Sequence, residues 1–388
     1  MLISAWPSFN QDQQEIVKNV LSSGKVNYWT GVEGKEFEKE FSEYIGTKYS
    51  IAIANGTLAL AAAYEAIGLK DSEEIITTPR SFIATASTAV LRGAVVKFAD
   101  VDKFSGNITV ESISPLINKK TKAIVVVHLA GWPADMEQIC KLAKQNGIYV
   151  IEDCAQAHGA KINGKSVGSF GDISAWSFCQ DKIISTAGEG GMVSTNNFDM
   201  WDKMWSIKDH GKSFDAVFKS NHPPGFRWTH ENFGNNYRLT EIQSAIGRYQ
   251  LKQLNNWNII RKRNVNIIIE HISNLSAIRI PLPGDNISHA WYKLHVFINE
   301  NNLREDWSRD RIVSEINSLG YPAFYGSCSE IYKEKCFSKL MNQEFRTLQN
   351  AKELGKTSIM FLVHPTITED QMLCYARCIS EVIKRSCK

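Results

Sequence analysis

The chain has 388 residues, of which 43% are hydrophobic and 22% charged, a composition typical of globular proteins and a length that allows two domains. Its 44 basic and 41 acidic residues leave a formal charge of +3, which excludes a global field that would recruit nucleic acid or an anionic membrane. No stretch approaches the roughly 18 to 20 apolar residues of a membrane span, and the first seven residues lack a secretory pattern, so a cytoplasmic protein is expected.

Apolar runs alternate with helix-like stretches between residues 50 and 195, a pattern that predicts a mostly parallel sheet wrapped by helices. The predicted strands are residues 49–54, 74–78, 95–98, 123–128, 148–152 and 173–178. The clearest predicted helices between them are residues 58–69 and 136–145. Ligands of open parallel sheets collect beyond the carboxyl ends of the strands, so we expect one crevice where these ends meet. The segments expected there are residues 55–57, residues 78–79, His128, Asp153 and the loop of Lys182.

The pattern changes towards the carboxyl terminus. Apolar residues at helical spacing predict one long helix over residues 239–272. After the break at Pro281, Pro283 and Gly284, the predicted elements are a strand over 292–298, a charged helix over 304–319 and a final helix over 369–385. The fold class is therefore α/β, with a large domain over residues 1–250 and a smaller C-terminal domain over residues 251–388.

One lysine and one aspartate carry the strongest chemical signal. Lys182 ends the run SFCQDK, which begins at Ser177, and the glycine-rich residues 188–191 follow closely. Asp153 comes directly after the apolar run 148–152. A lysine that can form a Schiff base, with an aspartate that can keep a pyridinium nitrogen protonated, is what a pyridoxal-phosphate enzyme requires.

A second segment suits a phosphate group. Gly56 and Thr57 follow a predicted strand and open a predicted helix. A helix N-terminus offers unpaired N–H groups and a positive dipole end, the glycine lets the backbone approach, and the threonine adds a hydroxyl. Taken alone, the same residues also suit an ordinary helix N-cap. Phe82, in the next strand-to-helix connection, could equally belong to the core.

Together these motifs resemble those of the StrS/DegT-like family of sugar aminotransferases, which are fold-type I pyridoxal-phosphate enzymes. Members typically show Ser-Phe-x-x-x-Lys and then Thr-Gly-Glu-Gly-Gly; this chain has one residue more before the glycines. The resemblance runs from Gly31 to Arg238 and thins out after residue 280. It implies a large, mostly parallel sheet domain wrapped by helices and a smaller C-terminal α/β domain.

The resemblance also implies roles for individual residues. Lys182 would hold pyridoxal 5′-phosphate and move the substrate proton, while Asp153 would pair with the ring nitrogen. The other implied cofactor contacts are Gly56, Thr57 and Ser177 at the phosphate, Phe82 stacked on the ring, and Gln156 at the phenolic oxygen. His158, two residues beyond Gln156, is interpreted as a structural histidine because the lysine serves as the family's proton shuttle.

The run from residue 233 to 241 resembles a family segment whose asparagine crosses the dimer interface, so Asn236 would contact the phosphate in the partner's site. The preceding long loop mixes aromatic and basic residues, among them His210, Arg227 and Trp228. Long loops of this kind are often functional, and a base and a diphosphate would suit it. An ordinary solvated loop would have the same composition.

The eight cysteines lack paired Cys-x-x-Cys motifs, so we expect reduced thiols and no metal. Cys374 and Cys378 are four residues apart and would share a helix face. Core or surface packing is a simpler interpretation than a metal site, because no histidine or second cysteine pair accompanies them. A few relatives of the family are iron-sulfur dehydratases that use cysteines near the carboxyl terminus.

The function implied is that of a homodimeric aminotransferase with shared active sites, which moves an amino group from an amino acid, L-glutamate, to a nucleotide-linked 4-keto-6-deoxyhexose for surface polysaccharide or glycoconjugate biosynthesis. A sugar 3-dehydratase is an alternative, but such relatives replace the lysine with histidine. A non-catalytic regulator that binds cofactor or sugar is another. A nicotinamide-dependent oxidoreductase would need a Gly-x-Gly-x-x-Gly turn after a strand, which the chain lacks. The nucleotide, the sugar and the choice between C3 and C4 remain open.

Overall fold

A computed structural model describes residues 2–340 and 345–388. Its helices are α1 (Gln11–Ser23), α2 (Glu33–Ile45), α3 (Gly56–Ala66), α4 (Ala84–Val90), α5 (Val110–Ile113), α6 (Met136–Asn146), α7 (Phe198–Lys208), α8 (Phe214–Phe218), α9 (Glu241–Ile272), α10 (Arg309–Ser318), α11 (Gln349–Thr357) and α12 (Glu369–Ser386). Its strands are β1 (Tyr49–Ile53), β2 (Glu74–Thr77), β3 (Val95–Phe98), β4 (Thr121–Val127), β5 (Tyr149–Asp153), β6 (Lys161–Ile162), β7 (Lys165–Ser166), β8 (Ile173–Ser177), β9 (Gly191–Thr195), β10 (Ile278–Arg279), β11 (Ile287–Ser288), β12 (Leu294–Ile298), β13 (Ala323–Phe324) and β14 (Ser358–Phe361).

The large sheet has the strand order β1-β9-β8-β5-β4-β2-β3 within the described residues. Its neighbours pair in parallel from β8 to β3, whereas β9 is antiparallel to both β1 and β8. The prediction of a large, mostly parallel sheet is confirmed. Strands β4, β5, β8 and β9 are almost entirely buried, as expected for a sheet covered by helices on both faces.

Strand β9 is absent from the sequence-based prediction. It follows the glycine-rich turn, in which Ala187 (φ 60°) and Gly188 (φ 122°) both take left-handed backbone conformations. The longer connection therefore turns through two such residues before the chain enters β9. The strand itself contains Ser194 and Thr195, which made its apolar pattern too weak to recognise.

The six predicted strands and the long helix are present, with bounds shifted by one or two residues at most ends. Two predictions in the C-terminal part were too long. The charged helix begins at Arg309 instead of residue 304, because the Ser308 side chain caps its first turn by accepting from the Arg311 amide. The strand predicted from residue 292 begins at Leu294, since Trp291 takes a left-handed backbone conformation with φ 48°.

A second sheet with the order β10-β12-β14-β13 is antiparallel. Its core is shared with α10, α12 and the last turns of α9, and it also receives Ile3 from the amino-terminal segment. In return, Ile331, Tyr332 and Phe337 pack against the core of the large sheet. Helix α9 continues without a break across residue 250. The domain boundary placed at that residue stays a prediction.

The cysteines are all free thiols, with Cys374 exposed and Cys378 buried on α12. No helix among the described residues combines the length and the apolar character that a membrane crossing needs. The cytoplasmic location stays a prediction.

Candidate functional site

The carboxyl ends of the parallel strands meet at a cavity of about 910 Å³. The predicted site residues that line it are Gly56, Thr57, Phe82, Asp153, Gln156, Ser177 and Lys182. The expectation that residues 78–79 and His128 line this crevice is wrong, and His128 is fully buried with its ring 3.1 Å from the Glu152 carboxylate instead. The structure thus brings seven residues from five separate segments to one space.

One end of the cavity is formed by the start of α3 and the end of β8. Asn55 caps the helix, since its Oδ1 accepts from the Leu58 amide at 2.9 Å. The amides of Gly56 and Thr57 have no acceptor within the helix and are free to bind a ligand. A Cβ atom on Gly56 would lie 2.6 Å from the Cβ of Ser177, so glycine is required for this close approach. Two amides, a positive helix end and hydroxyl groups suit a phosphate.

Asp153 is the last residue of β5 and is 6% exposed. Its Oδ2 accepts from the Thr85 hydroxyl at 2.8 Å, and its Oδ1 accepts from the Ala155 amide at 3.2 Å. Burial raises the pKa of Asp153, while these two hydrogen bonds and the charge of Lys182 act in the opposite direction. A cation placed against this carboxylate would be favourable, and a protonated ring nitrogen is such a group.

Thr85 is a site residue that the sequence analysis missed. It lies on α4, fully buried, and orients the Asp153 carboxylate from a distance of 68 residues along the chain. A hydroxyl within the otherwise small, apolar start of α4, three residues after Phe82, is the signal that could have found it.

Glu152 precedes Asp153 and points to the other face of the strand. Its carboxylate is fully buried and accepts from the amides of Gly168, Phe170 and Gly171 at 2.7 to 2.8 Å. The ring of His128 lies 3.1 Å away. Burial alone would raise the pKa of Glu152, but these hydrogen bonds hold it below its ordinary value.

Glu152 and His128 also lie near Cys154, and the three potential ligand atoms are within 4.8 Å of one another. The four donors around Glu152 already occupy both of its oxygens. This cluster is therefore a structural hydrogen-bond network that holds the loop after β7 against β5.

Lys182 lies in the loop after β8, with 15% of its side chain exposed. Its Nζ is 3.8 Å from Asp181 Oδ1 and 5.1 Å from the centre of the Tyr292 ring. The Tyr292 hydroxyl donates to the same Asp181 carboxylate. The backbone oxygen of Lys182 accepts from the Trp6 indole at 2.8 Å. These contacts fix both the loop and the amine at the cavity.

The side chains around the cavity fit pyridoxal phosphate. The start of α3 matches the phosphate, the Asp153 carboxylate matches the ring nitrogen, and Lys182 supplies a primary amine. Phe82 is 68% exposed, so its ring is available to stack on a ligand. Gln156 Oε1 accepts from the Ala130 amide at 2.7 Å, which leaves the Nε2 group of the amide as the donor for a phenolic oxygen.

The C-terminal part contributes a further wall that the sequence analysis did not anticipate. The residues of this wall are Tyr292, Lys293, Phe324, Gly326, Ser327, Cys328 and Met360. They come from three segments far apart in sequence and belong to no motif. The aromatic and basic pair just before β12, Tyr292 and Lys293, is the local signal that could have found part of this wall.

Four predicted residues do not line this chain's cavity. Asn236 is exposed and forms a backbone bridge with Asp209. His210 and Arg227 are exposed, and Trp228 is 85% exposed. The contact of Asn236 with the partner's cofactor phosphate stays a prediction, as do the substrate contacts of the other three residues.

His158 is buried between Trp176 and Phe178, with ring centroids 5.3 and 5.6 Å away. Burial lowers its pKa to about 3, so the ring is neutral at physiological pH. It does not line the cavity, which supports its interpretation as a structural histidine.

A model of the DegT/DnrJ/EryC1/StrS aminotransferase family matches residues 7–378. The chain is similar to the X-ray structure of the aminotransferase from Psychrobacter cryohalolentis, with a TM-score of 0.97 and 50% identity over 99% of both chains. It is 32% identical to GDP-perosamine synthase of Escherichia coli O157:H7 over 381 residues, 97% of this chain and 96% of that protein. It is also 32% identical over 339 residues to dTDP-3-amino-3,6-dideoxy-alpha-D-galactopyranose transaminase of Aneurinibacillus thermoaerophilus, 87% of this chain and 86% of that protein. These matches confirm the predicted aminotransferase fold and its cofactor, pyridoxal phosphate. The chain therefore belongs to the DegT/DnrJ/EryC1/StrS aminotransferase family.

Proposed function

We propose that the protein transfers the amino group of L-glutamate to a nucleotide-linked 4-keto-6-deoxyhexose, in the synthesis of a surface polysaccharide or glycoconjugate. The observation that carries this proposal is that Lys182, Asp153 and the phosphate-binding start of α3 line one cavity. Two relatives over most of the chain are named for GDP-linked and dTDP-linked sugars. A cavity of about 910 Å³ has room for a cofactor and part of a substrate.

Pyridoxal phosphate, when bound, supplies a carbonyl carbon that takes up an amine and a ring that takes up electrons. Asp153 would keep a proton on the ring nitrogen, because a buried carboxylate favours a cation beside it. Thr85 holds that carboxylate in place through its hydrogen bond to Oδ2. Phe82 would cover the ring and exclude water from the reacting carbon.

Lys182 has the second task. In each half-reaction its Nζ would move one proton between the substrate carbon and the cofactor carbon, as a general base and then a general acid. Asp181, 3.8 Å from Nζ, keeps the amine directed into the cavity while it is not bonded to the cofactor. A histidine at position 182 would not hold the cofactor in this way, so Lys182 disfavours the sugar 3-dehydratase alternative.

We propose further that the enzyme is a homodimer with shared active sites. Asn236 is exposed and outside the cavity of its own chain, which suits a contact with the phosphate in the partner's site. Trp228 is 85% and Phe233 fully exposed on the same loop, and a second copy of the chain would cover such aromatic side chains. His210, Arg227 and Trp228 would then contact the base and diphosphate of the sugar nucleotide in the partner's site.

The test is a panel of GDP-, dTDP- and UDP-linked 3-keto and 4-keto sugars, each incubated with the enzyme and L-glutamate and analysed by mass spectrometry. We expect one nucleotide-linked sugar to gain an amine in place of its carbonyl oxygen, with 2-oxoglutarate formed in equal amount. L-Aspartate and L-glutamine serve as alternative donors. If the cofactor absorbance changes with none of these sugars, the substrate class is wrong. Loss of sugar hydroxyl without amine transfer would favour the dehydratase.

A further inference from the structure

Arg80, in the connection between β2 and α4, is a buried cation without an ionic partner among the residues that the structure describes. Its side chain is 0% exposed. Nη1 donates to the Ser329 hydroxyl at 2.9 Å, whereas Nε and Nη2 have no acceptor among the described residues. Within residues 2–340 and 345–388, no carboxylate lies within ion-pair distance of the Arg80 guanidinium. By contrast, the Arg92 side chain is 23% exposed and its Nη2 lies 2.8 Å from Glu65 Oε2. A buried guanidinium without an anion is costly, so a missing partner is expected.

The guanidinium faces a small cavity beside the active site. The polar side chains lining this cavity, besides Arg80 itself, are Ser105, Lys293, His289 and His295, and its apolar walls include Trp132 and Trp291. The volume of this cavity is about 20 Å³. That is enough for one small group and too little for a diphosphate.

The charges around this cavity are positive or neutral. Burial lowers the pKa of Lys293 to about 8, and Asp181 is the carboxylate that counters this effect. Burial also lowers the pKa of His295 to about 3 and that of His289 well below its usual range. Both rings are therefore neutral at physiological pH. Nε2 of His295 has no partner among the described residues, so it can donate a hydrogen bond without adding charge.

We propose that this cavity binds one small monovalent anion, a halide or a carboxylate group, between the guanidinium of Arg80 and the amine of Lys293. Two sources can provide such an anion. One is the solution, and the other is a substrate carboxylate, because Lys293 lines both this cavity and the active site.

The direct test is diffraction from crystals of the pyridoxal-phosphate-loaded enzyme soaked in sodium bromide, because bromide scatters anomalously. We expect an anomalous peak within hydrogen-bond distance of Nε or Nη2 of Arg80. Density for water alone at this position, in crystals with bromide bound elsewhere, would overturn the proposal. This measurement does not depend on the proposed transamination, so the two can fail separately.

A solution measurement uses thermal unfolding at constant ionic strength, with bromide or formate replacing the bulky anion gluconate. We expect the Tm of the wild type to rise saturably, by about 2 °C at ten times the Kd. Arg80→Met removes the buried charge and should lose this dependence. Arg92→Met, which removes an arginine that already has a carboxylate partner, should keep it. An equal dependence in wild type and Arg80→Met would contradict the proposal. If Arg80→Met does not fold, the bromide soak decides.

The two sources are separated by adding L-glutamate to the bromide soak and to the kinetic assay. If the site takes a substrate carboxylate, glutamate displaces the bromide, and Arg80→Met raises the KM for glutamate at least tenfold, the loss of about one charged hydrogen bond, with the KM for the sugar unchanged. If the anion comes from solution, bromide stays bound and the KM for glutamate changes less than twofold. Both results support an anion at Arg80.

Discussion

Two walls of the same cavity differ in how they are built. The cofactor wall consists of Gly56, Thr57, Asp153, Ser177 and Lys182. The C-terminal wall consists of Tyr292, Lys293, Phe324, Gly326, Ser327, Cys328 and Met360. The first wall is built from segments at the ends of strands of one sheet, and we propose a separate chemical task for each of its groups. The second mixes aromatic, basic and sulfur-containing side chains from segments that pack on another sheet. From this difference we propose that the cofactor wall carries the reaction and that the C-terminal wall selects the sugar.

The largest effect should come from Lys182 on the cofactor wall. Lys182→Ala should lower turnover by about 10⁴-fold, because it removes the proton carrier and the covalent anchor together. The variant should still bind the cofactor non-covalently, through the start of α3 and Asp153. The rate of 2-oxoglutarate formation measures turnover, and the cofactor absorbance that remains after dialysis measures non-covalent binding.

The matched comparison is Lys293, which lines the same cavity from the C-terminal wall. Burial lowers its pKa to about 8, so part of it is a neutral amine able to react with an aldehyde. Borohydride reduction of the yellow wild-type enzyme and peptide mapping should place the pyridoxyl group on Lys182. A pyridoxyl group on Lys293 would mean that the C-terminal wall, and not the cofactor wall, holds the cofactor.

The next largest effect concerns two adjacent carboxylates on β5. Asp153→Asn should lower turnover by about 100-fold, because a neutral amide no longer holds a proton on the ring nitrogen. Glu152→Gln should instead cost roughly 2 kcal/mol of folding free energy, because buried amide donors lose their carboxylate. Unchanged turnover in Asp153→Asn would assign the task to another group.

The two carboxylates should also differ in their pH dependence, measured by urea unfolding of cofactor-free protein. The pKa of Glu152 is lowered, so its contribution to stability is present above the ordinary value of 4.5 and is lost as the pH falls. The pKa of Asp153 is raised, so its charged form costs stability as the pH rises through that pKa. Glu152→Gln should therefore flatten the acid-induced loss, while Asp153→Asn should leave stability equal or higher at pH 7. The reverse pattern would contradict these environments.

The third prediction adds the partner chain to the cofactor wall. Lys182→Ala inactivates a chain's own site, and Asn236→Asp should cripple the partner's site by placing a carboxylate against the phosphate. In a mixed dimer of the two variants, one site collects both changes and the other collects neither. Random mixing makes about half of the dimers mixed, so roughly a quarter of all sites should be active, from near zero in either parent.

The control for this experiment is a pull-down with two different tags, which establishes that mixed dimers are present. Activity at the parental level despite mixed dimers would mean that Asn236 serves its own chain's site or none. Each site would then consist of the two walls of one chain.

The contrast between the walls also explains what could be predicted from the sequence. Asp153 was recognisable because it follows an apolar strand, and the carboxyl ends of parallel strands meet. Lys182 was recognisable from the run SFCQDK and the glycine-rich residues that follow it. Thr85 was not, because its contact with Asp153 joins positions 68 residues apart. Arg80 has the appearance of a surface residue in the sequence, and its burial depends on packing against Ser329, 249 residues away. Local patterns do not encode such contacts.

The fold shows the same division. The parallel strands and α9 have strong periodic patterns and were predicted nearly to the residue. Strand β9 was missed because Ser194 and Thr195 are buried but polar, so the strand lacks the continuous apolar run that predicts a buried strand. Helix α10 was predicted to begin too early, because the spacing of charged residues does not reveal that Ser308 caps the first turn of the helix. Where tertiary contacts determine the ends of a helix or strand, sequence patterns predict the type of the element better than its first and last residues.

The smallest expected effect tests the C-terminal wall itself. Phe324 is 43% exposed and lines the cavity, so a bound sugar nucleotide would cover part of its ring. Burying about 40 Å² of apolar surface stabilises by about 1 kcal/mol, so Phe324→Ala should raise the KM for the sugar about fivefold. The KM for glutamate and the cofactor absorbance should not change. Phe198→Ala is the matched control, because Phe198 is 46% exposed but packs on Tyr49 and Trp201 outside the cavity. A loss of cofactor in Phe324→Ala, or an equal rise in both KM values, would mean that the two walls do not divide reaction from selection.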